Sequence, residues 1–458
     1  MPVLTAARPA GPRNLIPFQA LLQFRRRGPE YLQGLTREYG AVTFFHLGKQ
    51  DVYFVNDPEL IKDVLVTSQS KFIKSRMLQR AKVLLGEGLL TSEGSHHLRQ
   101  RRLAQPAFHR DRLRGYGESM IEFAVRTRDR WKPGQTLNVA TEMMQLTLAV
   151  VAKTLFNADV DSEASDIGES LGAVLELFNT VLLPFSEYLE KLPLPAIKRF
   201  ERAREQLDKT IYRIIAERRQ SPGDHGDLLS MLMMAQEEDG SGGMTDTQVR
   251  DEALTLFLAG HETTAVGLTW TLYLLSQHPE IEATLISEID RVLSGRLPTV
   301  DDLPALKYVE QVFAEGMRLY PPVWAIGRMV AESYTMPSPH NWELEPGSIV
   351  IMSPYVTQHD ARYFPDPERF DPNRWLPEHA DQRAKFTFFP FGGGTRVCIG
   401  ERFAWMEGVL LLTVIVQRWK LKLAPGQIVE KKALLTLRPK HGMRMVLEGR
   451  SLTVAALK

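Results

Sequence analysis

The chain has one cysteine in 458 residues, and this cysteine lies in a glycine-rich stretch that precedes an apolar segment. Cys398 ends the run Phe-Gly-Gly-Gly-Thr-Arg-Val-Cys that begins at Phe391, and Glu401–Arg418 follows as a predicted helix. Glycines leave the loop without side chains, so a bulky flat group can approach its backbone. The helix N-terminus and Arg396 favour a thiolate over a thiol. A lone cysteine is usually a small buried hydrophobe, but a thiolate stabilised in this way can be an axial ligand of haem iron.

A long segment without proline, between Thr245 and Pro279, predicts a second dominant element. Thr245 and Gln248 form the capping-box pattern that begins a helix. A helix that reaches Pro279 would be roughly 50 Å long at 1.5 Å per residue. Its middle reads Ala-Gly-His-Glu-Thr-Thr over Ala259–Thr264. Glycine costs about 1 kcal/mol relative to alanine inside a helix, so we expect Gly260 to make space for a ligand against the backbone.

Glu262 and Thr263 place a carboxylate and a hydroxyl in the same turn, which we expect to be interrupted. An acid and an alcohol, joined by ordered water, can relay protons to a bound ligand. The alternative is that Thr263 donates only to a helix carbonyl and that Glu262 is solvated. The apolar residues on both sides of the pair favour the relay.

His97 and Arg101 lie four residues apart on a predicted helix and therefore point the same way. Such a pair could hold one anionic group. A solvated basic face is the alternative, and it is the preferred interpretation for Arg99 and Arg102.

Several of these motifs occur in the order found in one enzyme family. The stretch from Phe391 to Gly400 matches Phe-x-x-Gly-x-Arg-x-Cys-x-Gly and resembles the haem-ligand loop of the cytochrome P450 family. The central helix is similar to the family's Ala-Gly-x-Glu/Asp-Thr pattern. Glu315–Arg318 and Pro367–Phe370 resemble its Glu-x-x-Arg and Pro-Glu-Arg-Phe motifs. The resemblance covers nearly the whole chain.

The resemblance implies a mainly α fold with small β-sheets, in which a long central helix crosses a buried haem b. It implies one haem domain over residues 1–458, without a fused reductase. Within that domain, an α-rich core would be joined by a smaller β-rich lobe formed by about 41–56 and 326–356. The β-branched and aromatic residues of Ala41–His46 and Asp51–Val55 predict a hairpin in that lobe.

The resemblance also implies roles for individual residues. Cys398 would be the axial ligand of the haem iron, and Glu262 and Thr263 would deliver protons. The remaining cofactor contacts would be His97, Arg101, Arg328, Arg396, Phe391, Gly392, Ala259 and Gly260. A structural charge network would contain Glu315, Arg318 and Arg369. The substrate pocket would be lined by Leu254, Phe257, Leu258, Val323, Trp324, Ile326 and Leu435, with Trp324 as a bulky wall.

Three further segments are expected to surround the substrate. Phe72–Thr91 is interpreted as a loop over the pocket, and Leu434–Leu437 as a strand that folds back over the substrate. The apolar segment within 171–195 is a lid, part of the core or a membrane-touching surface, and the sequence leaves these three alternatives open.

The function implied by the resemblance is that of a haem-thiolate monooxygenase. It would activate dioxygen with two externally supplied electrons and insert one oxygen atom into a fatty acid, terpenoid or steroid-like substrate. The long segment between Glu315 and Cys398 favours a fatty acid. A peroxide-driven or isomerising haem-thiolate enzyme is the alternative, and the Glu262–Thr263 pair disfavours it. A haem-based gas sensor or carrier is a more remote alternative.

Composition restricts the partners. The net charge of +1 gives no indication of nucleic-acid binding. A single cysteine excludes an internal disulfide. The N-terminal residues contain prolines and no apolar run, so we expect a soluble, cytoplasmic monomer without a membrane anchor. The electron donor would be a separate ferredoxin or flavodoxin with an NAD(P)H-dependent reductase.

Overall fold

The computed structural model describes residues 8–12, 19–157, 195–235 and 242–450. Their helices are α1 Gln19–Tyr39, α2 Pro58–Lys62, α3 Arg76–Arg80, α4 Lys82–Leu85, α5 Gly94–Ala104, α6 Arg110–Asp129, α7 Val139–Phe156, α8 Pro195–Gln220, α9 Leu228–Met234, α10 Asp246–Gln277, α11 Pro279–Leu293, α12 Lys307–Leu319, α13 Pro354–Gln358 and α14 Glu401–Arg418. The strands are β1 Val42–Leu47, β2 Gln50–Val55, β3 Phe72–Lys74, β4 Thr136–Asn138, β5 Ile326–Val330, β6 Tyr334–Thr335, β7 Glu343–Leu344, β8 Ile349–Met352, β9 Trp419–Leu423, β10 Lys431–Ala433, β11 Leu437–Pro439 and β12 Arg444–Gly449. The apolar segment within 171–195 lies almost wholly outside the described residues.

The chain forms two compact units, each built from separate parts of the sequence. The first unit consists of Met1–Arg76, Ala314–Cys398 and Lys431–Arg438. The second unit consists of Met77–Phe313, Ile399–Glu430 and Pro439–Lys458.

A five-stranded sheet dominates the first unit, with the strand order β1-β2-β8-β5-β3. The strands β1 and β2 form an antiparallel hairpin, in which Val42 pairs with Val55. Gly48 closes the hairpin with a φ of +65°. The prediction of a hairpin at Ala41–His46 and Asp51–Val55 is therefore confirmed. The neighbouring strand β8 is parallel to β2 and antiparallel to β5.

Two predictions of local structure around the expected substrate pocket are wrong. Phe72–Thr91 is not a loop, because Phe72–Lys74 forms β3 on the sheet edge, and α3 and α4 follow it. Leu434–Leu437 is not a strand, because residues 434–436 form the bend between β10 and β11. Backbone pairing of β3 with the distant strand β5 decides the first case. In the second case, β10 and β11 pair with each other, and residues 434–436 connect them.

Among the described residues of the second unit, the helix α10 is the longest element, with 32 residues. Thr245 caps it as predicted, because its hydroxyl accepts the Gln248 amide while the Gln248 side chain accepts the Thr245 amide. The helix packs against α7, where the Thr147 hydroxyl donates to the carbonyl of His261 over 2.9 Å.

The apolar helix α7 has the length and composition of a membrane span, and it is the one such helix in the described part of the chain. Of its 18 residues, 61% are buried inside the protein, as in the core helix of a globular fold.

The helix α14 follows Cys398 after a short turn and has the predicted bounds, Glu401–Arg418. Its central residues are buried. Gly408 faces Phe313, and a Cβ atom there would lie 2.2 Å from the Phe313 ring. A larger residue would force the ring away, so this glycine permits close packing.

Candidate functional site

The loop that ends at Cys398 is fixed by its own main chain. The Cys398 amide donates to the Phe391 carbonyl over 3.0 Å, and the Val397 amide donates to the Gly394 carbonyl over 3.1 Å. Gly392 and Gly394 have φ angles of +74° and +67°, a region that other residues adopt only at a cost. The Cys398 side chain is exposed at the end of this loop, so it can reach a group placed against the glycines.

A neighbouring segment braces the loop from outside. Leu65 lies in a π-helical turn, Asp63–Thr67, and a Cβ atom at Gly394 would lie 1.9 Å from the Leu65 carbonyl oxygen. Gln69 Oε1 accepts hydrogen bonds from both the amide and the hydroxyl of Thr395, each over 2.9 Å. Sequence analysis missed this brace, since more than 300 residues separate its two sides.

Two cations face each other on the sheet beside the loop. Arg328 on β5 is directly opposite Lys74 on β3, and Lys74 is only 5% exposed. Ile326 shares a strand face with Arg328, and a Cβ atom at Gly392 would lie 3.8 Å from the Ile326 side chain. Like charges directly opposite on a sheet repel each other, so an anionic group beside them would stabilise this arrangement. Arg328 was predicted as a propionate contact, but Lys74 was missed.

Arg318 is fully buried in the first unit and forms two parallel hydrogen bonds of 2.9 Å with the carboxylate of Glu315. The same guanidinium donates to the carbonyls of Gln358, Pro367 and Arg369 over 2.8, 2.7 and 3.0 Å. All of these partners accept hydrogen bonds from the one planar guanidinium group. It therefore joins the helix α12, Gln358 and the segment 367–369.

The arginine that accompanies this pair is not the predicted one. Arg369 contributes its backbone carbonyl, and its side chain is exposed. Arg374 is the second cation, with its Nε atom 3.4 Å from Glu315. Glu315 also accepts the Trp375 indole N–H over 2.9 Å and the Asp371 amide over 3.0 Å. The side chain that balances the charge is therefore that of Arg374, five residues after the predicted Arg369.

The helix α10 in the second unit is buried along most of its length but open in its middle. Ala259 is exposed, and Leu258, Gly260 and Thr263 are partly exposed, whereas the residues on both sides are buried. We call Leu258–Gly260 together with Thr263 the open stretch. An apolar surface of this kind in the centre of a buried helix suits a flat hydrophobic ligand.

The structure gives a different reason for a glycine at position 260 from the expected one. A Cβ atom at this position would lie 3.1 Å from the Val151 side chain of α7. The glycine therefore lets α7 pack closely against α10, and it is Ala259 that presents the exposed surface.

The predicted interruption at Glu262 and Thr263 is absent, because α10 continues as an α-helix through both residues. The Thr263 hydroxyl donates to the Ala259 carbonyl over 2.8 Å. A hydroxyl that donates in this way can still accept hydrogen bonds from other groups. Glu262 is only 3% exposed, so the alternative of a solvated carboxylate is wrong.

His97 and Arg101 both lie on α5, as predicted. His97 is buried, and its Nδ1 atom is 3.4 Å from the Ser92 hydroxyl, which restricts the orientation of the ring. Arg101 is partly exposed one turn later. Their spacing places both side chains on one face of the helix.

Glu407 is a buried acid that sequence analysis did not identify. It lies in the middle of α14 with no exposed surface. Burial raises the pKa of Glu407 to about 8, and the hydroxyl of Thr264 on α10 lowers it by a smaller amount. The side chain is therefore a neutral acid at neutral pH.

The predicted pocket residues differ in exposure. Leu254 and Phe257 are buried in the second unit, whereas Leu258 is partly exposed. In the first unit, the partly exposed candidates are Val323, Ile326 and Leu435.

Trp324 is not the expected pocket wall. It packs in a hydrophobic cluster against Phe24, with ring centroids 5.6 Å apart. Its indole N–H donates to the Leu434 carbonyl over 2.8 Å. Gly28 makes room for the ring, because a Cβ atom there would lie 2.6 Å from it.

The residues in each unit fit a haem. The first unit offers an exposed thiol on a loop without side chains, and two cations on the adjacent sheet face suit the carboxylates of a porphyrin. The second unit offers the open stretch of α10 and the basic pair on α5. A haem-thiolate protein needs a thiolate for the iron, cations for the carboxylates and an apolar surface for the porphyrin ring.

These features define a haem-thiolate oxidoreductase, and comparison with known proteins gives the family. A model of the family described as Cytochrome P450 matches residues 9–445. The chain belongs to the cytochrome P450 family. It is a monooxygenase of that family, and its cofactor is haem b.

The chain is similar to three enzymes from Streptomyces. Cyclooctatin synthase from Streptomyces melanosporofaciens is 38% identical over 418 residues, which cover 91% of this chain and 90% of the relative. Cyclooctat-9-en-7-ol 5-monooxygenase from the same organism is 36% identical, with 88% and 86% covered. Pentalenene oxygenase from Streptomyces avermitilis is 35% identical, with 94% of each covered.

The fold is similar to a solved P450 structure. Retinoic acid-bound cyanobacterial CYP120A1 superposes with a TM-score of 0.87 at 25% sequence identity. The match covers 97% of this chain and 100% of that chain. The predicted fold class, mainly α with small β-sheets, is confirmed.

Proposed function

We propose that the protein uses two electrons from a separate redox protein to insert one oxygen atom from dioxygen into a cyclic terpenoid. The open stretch of α10 is the observation that carries this proposal, because it places an apolar surface next to the Thr263 hydroxyl. Hydroxylation of a hydrocarbon requires an apolar surface that binds the substrate and a polar group that can deliver protons to bound oxygen.

Cys398 would bind the haem iron through its thiolate. Cys398 lies three residues before the start of α14, and the partial positive charge of a helix N-terminus would stabilise negative charge on its sulfur. Bound haem supplies the oxygen chemistry, since a thiolate ligand increases electron density at the iron and favours O–O cleavage. The other cofactor contacts proposed in the loop are Phe391, Gly392 and Arg396.

Thr263 and Glu262 would handle the protons. Because the Thr263 hydroxyl donates to the Ala259 carbonyl, its oxygen is available to accept from a water molecule and hold it in place. Glu262 is a buried carboxylate one residue earlier and would be the group that gains and loses the proton.

Four basic side chains are proposed to hold the haem carboxylates. His97 and Arg101 form the pair on α5, and Arg328 and Lys74 form the pair on the sheet. A propionate close to two cations gains charge-assisted hydrogen bonds and relieves the repulsion between them.

The relatives favour a terpenoid over the fatty acid that the sequence suggested. Pentalenene and cyclooctat-9-en-7-ol, which occur in the names of two relatives, are cyclic terpenoids. The structural neighbour was solved with retinoic acid, which is also a largely apolar molecule. The partly exposed pocket candidates Leu258, Val323, Ile326 and Leu435 are all apolar, as a hydrocarbon substrate requires.

The electron donor would be a ferredoxin or flavodoxin with an NAD(P)H-dependent reductase. Arg102 and Arg402 are exposed in the second unit and would attract an acidic donor. We further propose that the two units make up a single haem domain, and that the protein works as a cytoplasmic monomer.

The replacement Thr263→Ala tests the oxygen-handling role. The variant should bind haem and carbon monoxide as the wild type does, because Thr263 is not among the residues proposed to hold the haem. It should consume NADPH at a similar rate but divert the electrons to hydrogen peroxide or water in a reconstituted system. Measuring NADPH, peroxide and oxidised product together gives the coupling. Unchanged coupling would remove Thr263 from the proposed relay, and turnover by the wild type with peroxide alone would favour the peroxide-driven alternative.

A further inference from the structure

Two adjacent carboxylates of α10 hold the turn Gly86–Thr91 in the second unit. Asp251 Oδ2 accepts the Glu87 amide over 2.8 Å, and Glu252 Oε2 accepts the Leu89 amide over 3.1 Å. Asp251 is nearly buried, and Glu252 is completely buried. We call Asp251 and Glu252 the carboxylate clamp.

Two glycines allow the turn to lie directly on the helix. A Cβ atom at Gly86 would be 2.0 Å from Asp251 Oδ2, and one at Gly88 would be 2.2 Å from Thr255 Oγ1. Gly86 also has a φ of +54°, which favours glycine. The Thr91 hydroxyl donates to the Gly86 carbonyl over 2.7 Å and closes the turn.

A third charged residue fixes the clamp on its other side. Arg250 donates to Asp251 Oδ1 over 2.8 Å and, through Nε, to Asp208 of α8 over 2.8 Å. Arg250 is only 7% exposed. The clamp carboxylate of Asp251 therefore bridges a buried guanidinium and the main chain of the turn, so it has little freedom to move.

The turn contacts α10 about one helical turn before the open stretch. Thr255 is covered by Gly88 and is buried. Ala259 and Thr263 follow Thr255 at intervals of four residues, so all three lie along one face of α10. Ala259 is exposed, and the turn therefore forms the edge of the surface on which we propose that the substrate lies.

We infer that Asp251 and Glu252 are positioning residues that fix the turn Gly86–Thr91 at the edge of the open stretch and thereby select which substrate carbon is oxidised. The clamp itself rests on contacts alone, whereas its effect on product selection rests on the proposed function. Neither carboxylate contacts the substrate. Both act through the main chain that they hold.

Amide hydrogen exchange on the haem-loaded protein tests the clamp without any turnover. Glu252→Ala should raise the exchange rate of amides in residues 86–91 by about tenfold or more, because the buried acceptor of the Leu89 amide is lost. Glu252→Gln should raise it less, since the amide oxygen can still accept from Leu89. Gly88→Ala provides a second test that keeps both carboxylates, because its Cβ atom would push the turn away from Thr255.

Glu288→Ala is the matched control. The Glu288 carboxylate accepts the Tyr308 and Val309 amides over 2.9 and 3.0 Å at the start of α12, far from the turn in sequence. This variant should raise exchange at residues 308–309 and leave residues 86–91 unchanged. Unchanged exchange at residues 86–91 in a folded Glu252→Ala or Gly88→Ala variant would overturn the clamp.

Product analysis tests the second half of the inference, with the cyclic hydrocarbon pentalenene as the probe. Glu252→Ala should keep the ferrous carbon monoxide spectrum of the wild type but give a different ratio of oxidation products. Glu288→Ala should keep both. Raised exchange with an unchanged product ratio would overturn the role in selection. If the wild type oxidises no terpene hydrocarbon, the proposed substrate class fails, and the exchange result still decides the clamp.

Discussion

A single guanidinium group, that of Arg318, joins three chain segments of the first unit. It has no exposed surface, and all its described partners are a carboxylate, three carbonyl oxygens and the face of the Phe364 ring. Removing one partner of such a buried ion pair strongly destabilises the folded protein, because the other charge is left buried without compensation. Loss of either Glu315 or Arg318 should therefore destabilise the first unit.

Replacement of Arg318 by lysine should prevent either the folding of the first unit or the full incorporation of haem. A lysine ammonium cannot reproduce the planar fork, and breaking a buried pair costs about 3–5 kcal/mol. The measurements are haem content and thermal unfolding of the purified variant. As the control, Arg362→Lys disrupts an ion pair with Asp360 whose arginine is half exposed, and it should lower stability by about 1 kcal/mol or less. A stable, fully haem-loaded Arg318→Lys protein would contradict the structural role.

Glu407 makes a second residue-scale prediction, on the dependence of stability on pH. Its pKa is about 8 in the folded protein and 4.5 as the ordinary value, so between these values the folded state holds a proton that the unfolded state has lost. The contribution of Glu407 to the free energy of unfolding therefore falls as pH rises, by up to about 1.4 kcal/mol per pH unit. Glu407→Gln should gain stability relative to the wild type between pH 5 and about pH 8.

Denaturant unfolding of both proteins over this pH range provides the measurement. Asp302→Asn is a suitable control, because hydrogen bonds from Arg296 and Thr299 hold the pKa of Asp302 below its ordinary value. Its stabilisation is lost only as pH falls below the ordinary value, so it predicts no pH-dependent difference from the wild type above pH 5. A Glu407→Gln difference that is constant from pH 5 to pH 8 would show that the acid is already ionised in the folded protein.

At the scale of elements, the cysteine loop depends on a brace from a distant turn. The π-helical turn Asp63–Thr67 and the short helix Gln69–Lys71 both contact the loop. Tyr334 donates to Asp63 over 2.5 Å and anchors the start of the turn. The position of the thiol therefore depends on side chains that no motif around Cys398 includes.

Gln69→Leu should loosen this loop, because the variant removes the acceptor of two hydrogen bonds from Thr395, each worth about 1 kcal/mol. The expected result is a faster loss of the thiolate-type carbon monoxide spectrum on mild heating. Gln69→Glu keeps an acceptor and should resist the loss. Gln135→Leu, which removes a similar bond from the Lys132 amide, should behave as the wild type. Equal rates for Gln69→Leu and Gln135→Leu would argue against the brace.

Elements with a strong local signal could be predicted from the sequence, and elements held by distant pairing could not. The capping box at Thr245 and the absence of proline predicted α10, and the glycine loop predicted the start of α14. In contrast, β3 has three residues and exists because it pairs with β5. Lys74 was missed for the same reason, since its cross-strand neighbour Arg328 is more than 250 residues away.

At the scale of the whole molecule, the family and its cofactor followed from five fixed positions around one cysteine, and the comparisons confirm both. The arginine that balances the charge of Glu315 could not be predicted from these motifs. Arg374 balances Glu315 where Arg369 was expected, because the chain turns between the two residues and only the folded geometry decides which side chain points inward. Substrate class was not encoded in any motif, and the relatives changed the expectation from a fatty acid to a terpenoid.

The central claim is that Cys398 is the thiolate ligand of the haem. Because the chain contains no other cysteine, a thiolate spectrum can have only one source. The decisive measurement is the carbon monoxide difference spectrum of the dithionite-reduced wild type, of Cys398→Ala and of Cys398→His, in which the imidazole can still bind iron. We predict the red-shifted Soret band in the wild type and its complete loss in both variants, with haem retained in Cys398→His. A red-shifted band that survives in either variant would show that Cys398 is not the ligand.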